Sequence, residues 1–299
     1  MGYSLGVDAK YKLQAVIHIT QLRQRRGTVA FFNIVFEDFI KYLEERLDDP
    51  YSIDQKNASL CGPAAVMFCW LCKRPDLFTQ YVINVYETGM GKMGDLVVTP
   101  GEDCRNYSPA TIKGVDWVAL AALRDSENTV FDYDDETDQV SGITLSGAIE
   151  KWFKNIGFNV VENNADARTV QGYEALRKAA SHLVQGKCVC LLVNAKFLLG
   201  EGFNIIANHW IVMTSEPKID GKSISSLPNE NSLLDKQINF TVYTWGLRWA
   251  IKIDQKNHTN TLKDFLDCFY GFVAAEYNDY SAFAAKVSLL DDQANRLKY

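Results

Sequence analysis

The stretch QKNASLCGPAA, residues 55–65, decides the fold that we expect, because it places Cys61 at the start of an apolar helix. Gly62 permits a tight turn, Pro63 has a φ suited to a first helical turn, and AAVMFCWLCK stays apolar on nearly every face until Pro75. The unpaired N–H groups and the positive dipole end at such a helix start favour a thiolate. We therefore expect a cysteine pKa lowered from its free value of about 8.5 toward neutrality.

A second motif, NHWIVM at residues 208–213, supplies a histidine 148 positions after the cysteine. A thiol nucleophile needs a base within hydrogen-bond reach, and a distant strand can supply it. Gln55 stands six residues before Cys61, where its amide and the Cys61 backbone N–H can hold a tetrahedral oxyanion. The pattern predicts a cysteine hydrolase in which Cys61 is the nucleophile, His209 the base and Gln55 an oxyanion donor.

The order of helical and extended patterns predicts an α+β fold. Residues 1–50 predict two helices, from Ala9 to Arg25 and from Phe31 to Arg46, as a segment packed on or leading into a catalytic domain at 51–280. We expect a helical tail at 281–299.

Four short apolar or β-branched runs late in the chain predict the strands of a sheet. They are KCVCLLVNA, NHWIVMTSE, INFTVYTWG and LRWAIKI. Between the helix that starts at Cys61 and these four runs, helices are expected at 76–89, 116–128, 143–156 and 169–186, and a strand at 157–162. The cysteine thus belongs to a helical half and the histidine to a sheet half.

Gln55, the Cys-Gly pair, the alanine-rich helix and the later His-aromatic strand together resemble papain-like cysteine peptidases. Over residues 55–71 the chain is most similar to bacterial C39-type peptidases, which include the double-glycine leader peptidases of bacteriocin exporters. The resemblance implies a papain-like fold, with an antiparallel sheet in the histidine half and the active site in the cleft between the two halves.

The third catalytic residue departs from the family pattern. Papain-like enzymes hold an orienting asparagine in an Asn-Ser-Trp-Gly turn, whereas this chain has YTWG at residues 243–246 and no aspartate of the C39 kind there. We expect Thr244 to orient His209, with Asn239 and Asp235 as alternatives. A Cys-His dyad without a third member is the remaining alternative.

From about residue 50 to 275 the chain also resembles papain-like toxin domains that bacteria deliver into rivals through contact-dependent secretion systems. The phrases SLCGPAA, DWVALAALRDSEN, NHWIVM and VYTWG carry this resemblance. It implies an antibacterial effector that cleaves a cytosolic protein of the target cell, next to small residues such as Gly-Gly. It also implies an immunity protein as a partner in the producing cell.

The same catalytic residues fit other substrates. A peptidoglycan amidase or endopeptidase is one alternative, and a Cys-His deamidase or transglutaminase is another. A non-enzymatic binding module is a fourth class, in which Cys61 would be dispensable.

Composition limits the partners. With 299 residues, 47% of them apolar, the chain can bury a sizeable core, and its net charge of −6 argues against nucleic-acid or anionic-membrane binding. The exception would be a local basic patch at Arg23, Arg25 and Arg26. We expect no membrane span and no cleaved signal peptide. The resemblance to toxin domains then implies secretion by a route without a cleaved signal and action in the target-cell cytoplasm. Seven cysteines, an odd number, suit a reducing compartment.

No cofactor or metal is expected. Cys69-x2-Cys72 and Cys188-Val-Cys190 lie on an apolar helix and an apolar strand, so buried free thiols are favoured over zinc ligands. GMGKMG at 89–94 is a literal GxGxxG, but a helix precedes it and an extended run follows, the reverse of a dinucleotide site. DYDDETD at 132–138 lacks the glycine and the correctly spaced glutamate of an EF-hand loop and is expected to be a solvated loop.

Overall fold

Helices form the first half of the chain in the computed structural model, which describes residues 6–25, 27–127, 144–201 and 207–278. The acidic loop at 132–138 and the tail at 281–299 lie outside the described residues. The helices of this half are α1 (Ala9–Arg25), α2 (Phe36–Asp48), α3 (Cys61–Lys73), α4 (Pro75–Thr88), α5 (Glu102–Asn106), α6 (Gly114–Asp116), α7 (Ala122–Glu127) and α8 (Ser146–Asn155), with a π-helical segment at Trp117–Ala121 between α6 and α7.

The ends of these helices follow local chemistry. Pro75 occupies the first turn of α4, and Gly89 ends it with φ 71°, in the left-handed region. Helix α1 has the predicted bounds, and α3 begins at Cys61 as predicted. A short hairpin of β1 (Gly91–Met93) and β2 (Leu96–Val98) follows Gly89.

Helix α2 starts later than predicted. The N–H groups of Ala30 and Phe31 donate to the carbonyl oxygen of Tyr86 at the end of α4, and Val35 is extended (φ −63°, ψ 124°), so the helical conformation begins only at Phe36. Phe32 and Val35, which fall within the predicted helix, are each 63% exposed. The predicted start at Phe31 is therefore wrong.

A six-stranded antiparallel sheet dominates the second half. Its order is β10–β9–β5–β4–β11–β3, so β5 lies between β4 and β9. The strands are β3 (Phe158–Asn163), β4 (Cys188–Val193), β5 (His209–Met213), β9 (Thr241–Thr244), β10 (Leu247–Ala250) and β11 (Phe269–Tyr277), and a small separate sheet is formed by β6 (Lys218–Ile219), β7 (Lys222–Ser223) and β8 (Ile238–Asn239). The helices of this half are α9 (Tyr173–Val184), α10 (Ala195–Leu199) and α11 (Leu262–Leu266).

Sequence analysis did not predict β11, although it is a central strand. Gly271, with φ 106°, interrupts its run and coincides with a register shift against β4 between Phe269 and Phe272. A side chain at Gly271 would come within 2.6 Å of the Asn164 carbonyl oxygen, so glycine is required by this close approach.

The sheet separates two hydrophobic clusters, because alternate residues of each strand point to opposite faces. Cys188, Cys190 and Leu192 of β4 join the cluster that also contains the buried side chains of α1 to α4. Val189 and Leu191 join the other cluster, with α9 and α11. The fold is α+β, and the N-terminal helices share a core with the helix that carries Cys61.

Two patterns in the sequence, the local basic residues and the cysteines, have simple structural outcomes. Of the basic residues, Arg23 pairs with Glu44 at 2.9 Å and Arg25 with Glu87 at 2.8 Å, while Arg26 lies outside the described residues. All seven cysteines are free and buried. Within the described ranges, no group of three or more His, Cys, Asp or Glu side chains could hold a metal ion.

Candidate active site

Cys61 is the first residue of α3, and its side chain is buried at the foot of a cleft. The helix starts without a side-chain cap, and the Ala64 N–H bonds to the Leu60 carbonyl at 2.9 Å to close the first turn. A Cβ on Gly62 would collide with the Thr144 side chain. Glycine at this position therefore allows close packing beside the cysteine, in addition to the turn.

Burial raises the pKa of the Cys61 thiol. The backbone N–H groups of Trp210 and Gly62 and the charge of Arg124 oppose this rise but do not cancel it. The expected lowering toward neutrality is thus wrong, because desolvation outweighs the favourable helix start. The Trp210 N–H also shows that β5 reaches the cysteine, since Trp210 directly follows His209.

His209, the first residue of β5, is buried and makes two defined contacts. Its Nε2 lies 2.7 Å from Oγ1 of Thr244, and its ring stacks on Trp245 with 4.4 Å between centroids and 20° between planes. The contact with Thr244 is diagonal across neighbouring strands, because β5 and β9 pair Val212 with Tyr243. Sheet register therefore delivers Thr244 to the imidazole.

Because Thr244 contacts Nε2, the other ring nitrogen of His209, Nδ1, remains for proton transfer. Among the described residues, the imidazole hydrogen-bonds to Thr244 alone, so Nδ1 is not engaged. In the tautomer with hydrogen on Nε2, that N–H donates to the hydroxyl oxygen and Nδ1 can accept a proton. Burial lowers the pKa of His209 to about 3, so the ring is neutral at pH 7.

The two alternatives to Thr244 lie elsewhere. Asn239 pairs with Lys218 in the small sheet, and its side chain is exposed. Asp235 is also exposed, in the connection that precedes β8. Of the three candidates named from the sequence, Thr244 is the one in contact with His209.

Gln55 lies on the loop that enters α3 and is 5% exposed. Its Nε2 donates to the Ala58 carbonyl oxygen at 3.2 Å, and the Ala58 N–H donates back to the Gln55 carbonyl at 3.1 Å. A carboxamide has two N–H bonds, so one remains for a ligand. Gln55 lines the same cleft as Cys61 and His209.

The cleft has a volume of about 820 Å³. On the histidine side its wall includes two indole rings, since Trp249 packs edge-to-face on Trp245 with centroids 5.8 Å apart. The lining comprises Asp54, Gln55, Lys56, Asn57, Ala58, Ser59, Cys61, Ala195, Lys196, Leu199, Glu201, Asn208, His209, Trp245, Leu247, Trp249 and Gln255. The three residues predicted to act together thus share one solvent-accessible groove.

Sequence reasoning missed Arg124 and Thr144. The Arg124 Nη1 donates to Oγ1 of Thr144 at 3.2 Å, and the Trp210 Nε1 donates to the Thr144 carbonyl at 2.7 Å. Both residues are buried, and Thr144 lies against Gly62. An arginine ending the apolar run DWVALAALRD was the available signal, because a buried cation needs a compensating environment.

Comparison with known proteins adds no family assignment: no protein-family model, curated protein or solved structure matches the chain. Among the described helices, none is long and apolar enough to cross a membrane.

Proposed function

We propose that the protein is a papain-like cysteine peptidase with Cys61 as nucleophile, His209 as general base and Gln55 as an oxyanion donor. The observation that carries this proposal is the convergence of Gln55 and Cys61 with His209, which lies 148 positions after the cysteine, on one cleft. The contact of Thr244 with Nε2 supports its role as the residue that orients His209. The antiparallel sheet behind His209 and the helix that starts at Cys61 support the papain-like interpretation of the α+β fold.

The chemistry begins from a neutral pair, because burial favours both the thiol and the uncharged imidazole. As the Cys61 sulfur attacks the scissile carbonyl carbon, its proton passes to Nδ1 of His209. The carbonyl oxygen gains negative charge and is held by the Gln55 amide and the Cys61 backbone N–H. His209 then gives the proton to the departing amine, and a thioester forms.

Hydrolysis of the thioester completes the cycle. His209, neutral again, takes a proton from water while the water oxygen attacks the thioester carbon. The second tetrahedral intermediate uses the same oxyanion donors. Its collapse breaks the C–S bond, returns the proton to the sulfur and releases the carboxylic acid.

The proposed substrate is a cytosolic protein of a target bacterium, cleaved next to small residues such as Gly-Gly. Similarity to double-glycine peptidases and to contact-dependent toxin domains supports this class. The same similarity supports export without a cleaved signal peptide, action in the target-cell cytoplasm and a cognate immunity protein.

New protein N-termini in bacteria that express the chain in the cytoplasm test the proposal. N-terminal labelling and mass spectrometry would compare the wild type, Cys61→Ala and a control, Cys268→Ala, which removes a buried thiol from the opposite core cluster. We expect a few cuts with a shared residue preference in the wild type and the control, and none in Cys61→Ala. Equal profiles in all three, with toxicity confined to the wild type and the Cys268→Ala control, would reject proteolysis in favour of cell-wall hydrolysis or side-chain amide chemistry.

A further inference from the structure

A buried ion pair lies beneath the loop that carries Gln55. Arg46 of α2 and Asp116 of α6 are each about 2% exposed at the side chain, and they form two hydrogen bonds, Nε to Oδ1 at 3.0 Å and Nη2 to Oδ2 at 2.7 Å. Burial raises the pKa of the Asp116 carboxyl group, and the contacts with Arg46 oppose that rise. A pair buried this fully is costly in solvation and is weak support for stability alone.

The pair also holds the loop backbone. The Asp54 N–H donates to Oδ2 of Asp116 at 3.1 Å, and Nη1 of Arg46 donates to the Ser52 hydroxyl at 3.3 Å. Asp54 directly precedes Gln55. The carboxylate therefore fixes the peptide that leads into the oxyanion donor.

The sheet half contacts the same loop from the other side. The Tyr243 hydroxyl donates to the Ile53 carbonyl at 2.7 Å, next to the residue held by Asp116. A Cβ on Gly246 would come within 2.6 Å of the Asp54 Cβ, so the YTWG turn packs directly on the loop. The loop at 52–55 is therefore held on one side by the Arg46–Asp116 pair and on the other by the YTWG turn at 243–246.

We propose that Asp116 and Arg46 are positioning residues that hold the loop at 52–55 so that the Gln55 amide faces the developing oxyanion. This inference rests on the proposed function, because it assigns a role in the same site. It accounts for the aspartate at the start of DWVALAALRDSEN. A small shift of an oxyanion donor is expensive, since its hydrogen bond contributes mainly in the transition state.

Replacement of both charges tests the proposal without leaving one of them buried alone. The variant Arg46→Met with Asp116→Leu replaces the ion pair by apolar side chains of similar volume. It also removes the acceptor for the Asp54 N–H. The control is Asp76→Asn, which breaks another poorly exposed pair, Arg74 with Asp76 at 2.6 Å, outside the cleft residues.

Two thiol probes separate positioning from simple loss of structure. A peptide aldehyde ending in Gly-Gly adds to Cys61 and forms a hemithioacetal: a C–S bond forms, the C=O double bond becomes a single bond, and the thiol proton moves to the oxygen, which occupies the oxyanion position. Iodoacetamide alkylates the sulfur with loss of iodide and needs no oxyanion donor. We expect the double variant to bind the aldehyde about tenfold more weakly while its alkylation rate changes less than about twofold. Asp76→Asn should match the wild type with both probes.

A double-mutant cycle with Gln55→Ala provides the second measurement. If the ion pair acts through Gln55, removal of the amide costs less aldehyde affinity in the double variant than in the wild type. Equal costs in both backgrounds, or parallel losses with both probes, would overturn the positioning role. Failure of the proposed function has a different signature: no wild-type cleavage of a fluorogenic Gly-Gly peptide amide, with the loop contact still reported by slow exchange of the Asp54 amide hydrogen.

Discussion

The two sides of the candidate site are built from different interactions. On the cysteine side, charged groups predominate: the Arg46–Asp116 pair holds the entry loop, and Arg124 acts on the thiol. On the histidine side, the imidazole contacts an uncharged hydroxyl and an indole face. A carboxylate orienting the histidine would favour imidazolium, whereas a hydroxyl does not. In the proposed mechanism, positive charge for a thiolate comes from the helical half, and the proton acceptor from the sheet half.

Removal of His209 should reduce activity more than any other change on either side of the site. We expect His209→Ala to lower kcat/KM for the fluorogenic Gly-Gly peptide amide about a thousandfold, because the thiol loses its proton acceptor. His182→Ala is the matched control, since that histidine lies on α9 and pairs with Glu162 at 2.9 Å. Near-wild-type turnover by His209→Ala would mean that another group accepts the proton.

Acid unfolding measures the neutral histidine directly. The folded-state pKa of about 3 lies below the ordinary value of 6.5, so the unfolded chain takes up the proton first as the pH falls. His209 therefore contributes full stability above pH 6.5 and loses it between pH 6.5 and about 3, by about 1.4 kcal/mol per pH unit. Denaturant unfolding at several pH values should show the wild type losing more free energy of unfolding than His209→Gln on acidification. Parallel curves would show that the imidazole is not held neutral.

The sequence predicted local elements well where apolar runs end at glycine or proline. Helices α1 and α3 and the strand that begins at His209 follow from such patterns. The missed strand β11 has a glycine in a left-handed conformation and two alanines, so its pairing depends on neighbours distant in sequence. The start of α2 was misplaced because Val35 is extended and the residues before it bond to Tyr86, far along the chain.

Within the site, the sequence indicated which residues to consider, but not how deeply they are buried or which distant residues they contact. Cys61, Gln55 and His209 have a recognisable spacing, and Thr244 follows from the YTWG turn. The thiol pKa depends on burial, which no local pattern specifies. The partnership of Asp116 with a residue 70 positions earlier likewise needs the folded chain.

Removal of the Arg124 charge should show how strongly a nearby cation stabilises the Cys61 thiolate. Arg124→Gln is expected to slow alkylation of Cys61 by iodoacetamide at pH 7 about tenfold, because the thiolate loses a favourable charge. The pH at which alkylation reaches half its maximal rate should rise, and Arg124→Lys should restore part of it. Arg105→Gln, a change outside the cleft lining, is the control. An unchanged alkylation profile in Arg124→Gln would remove the arginine from the account of the thiol.

Changes at Thr244 should have the smallest effect, and they measure how much its hydroxyl contributes to the role of His209. Thr244→Val keeps the shape but removes the hydroxyl that faces Nε2, so we expect kcat to fall about fivefold with little change in KM. Thr244→Asp places a carboxylate at the same position, and its charge should raise the histidine pKa. Activity would then fall on the acid side at a higher pH than in the wild type, which a pH profile of kcat/KM would measure. If both variants keep the wild-type profile, the hydroxyl has no orienting role and a Cys61–His209 dyad explains the chemistry. If Thr244→Asp instead exceeds wild-type turnover, the hydroxyl limits the rate, because a neutral partner cannot stabilise the imidazolium formed when the thiol is deprotonated.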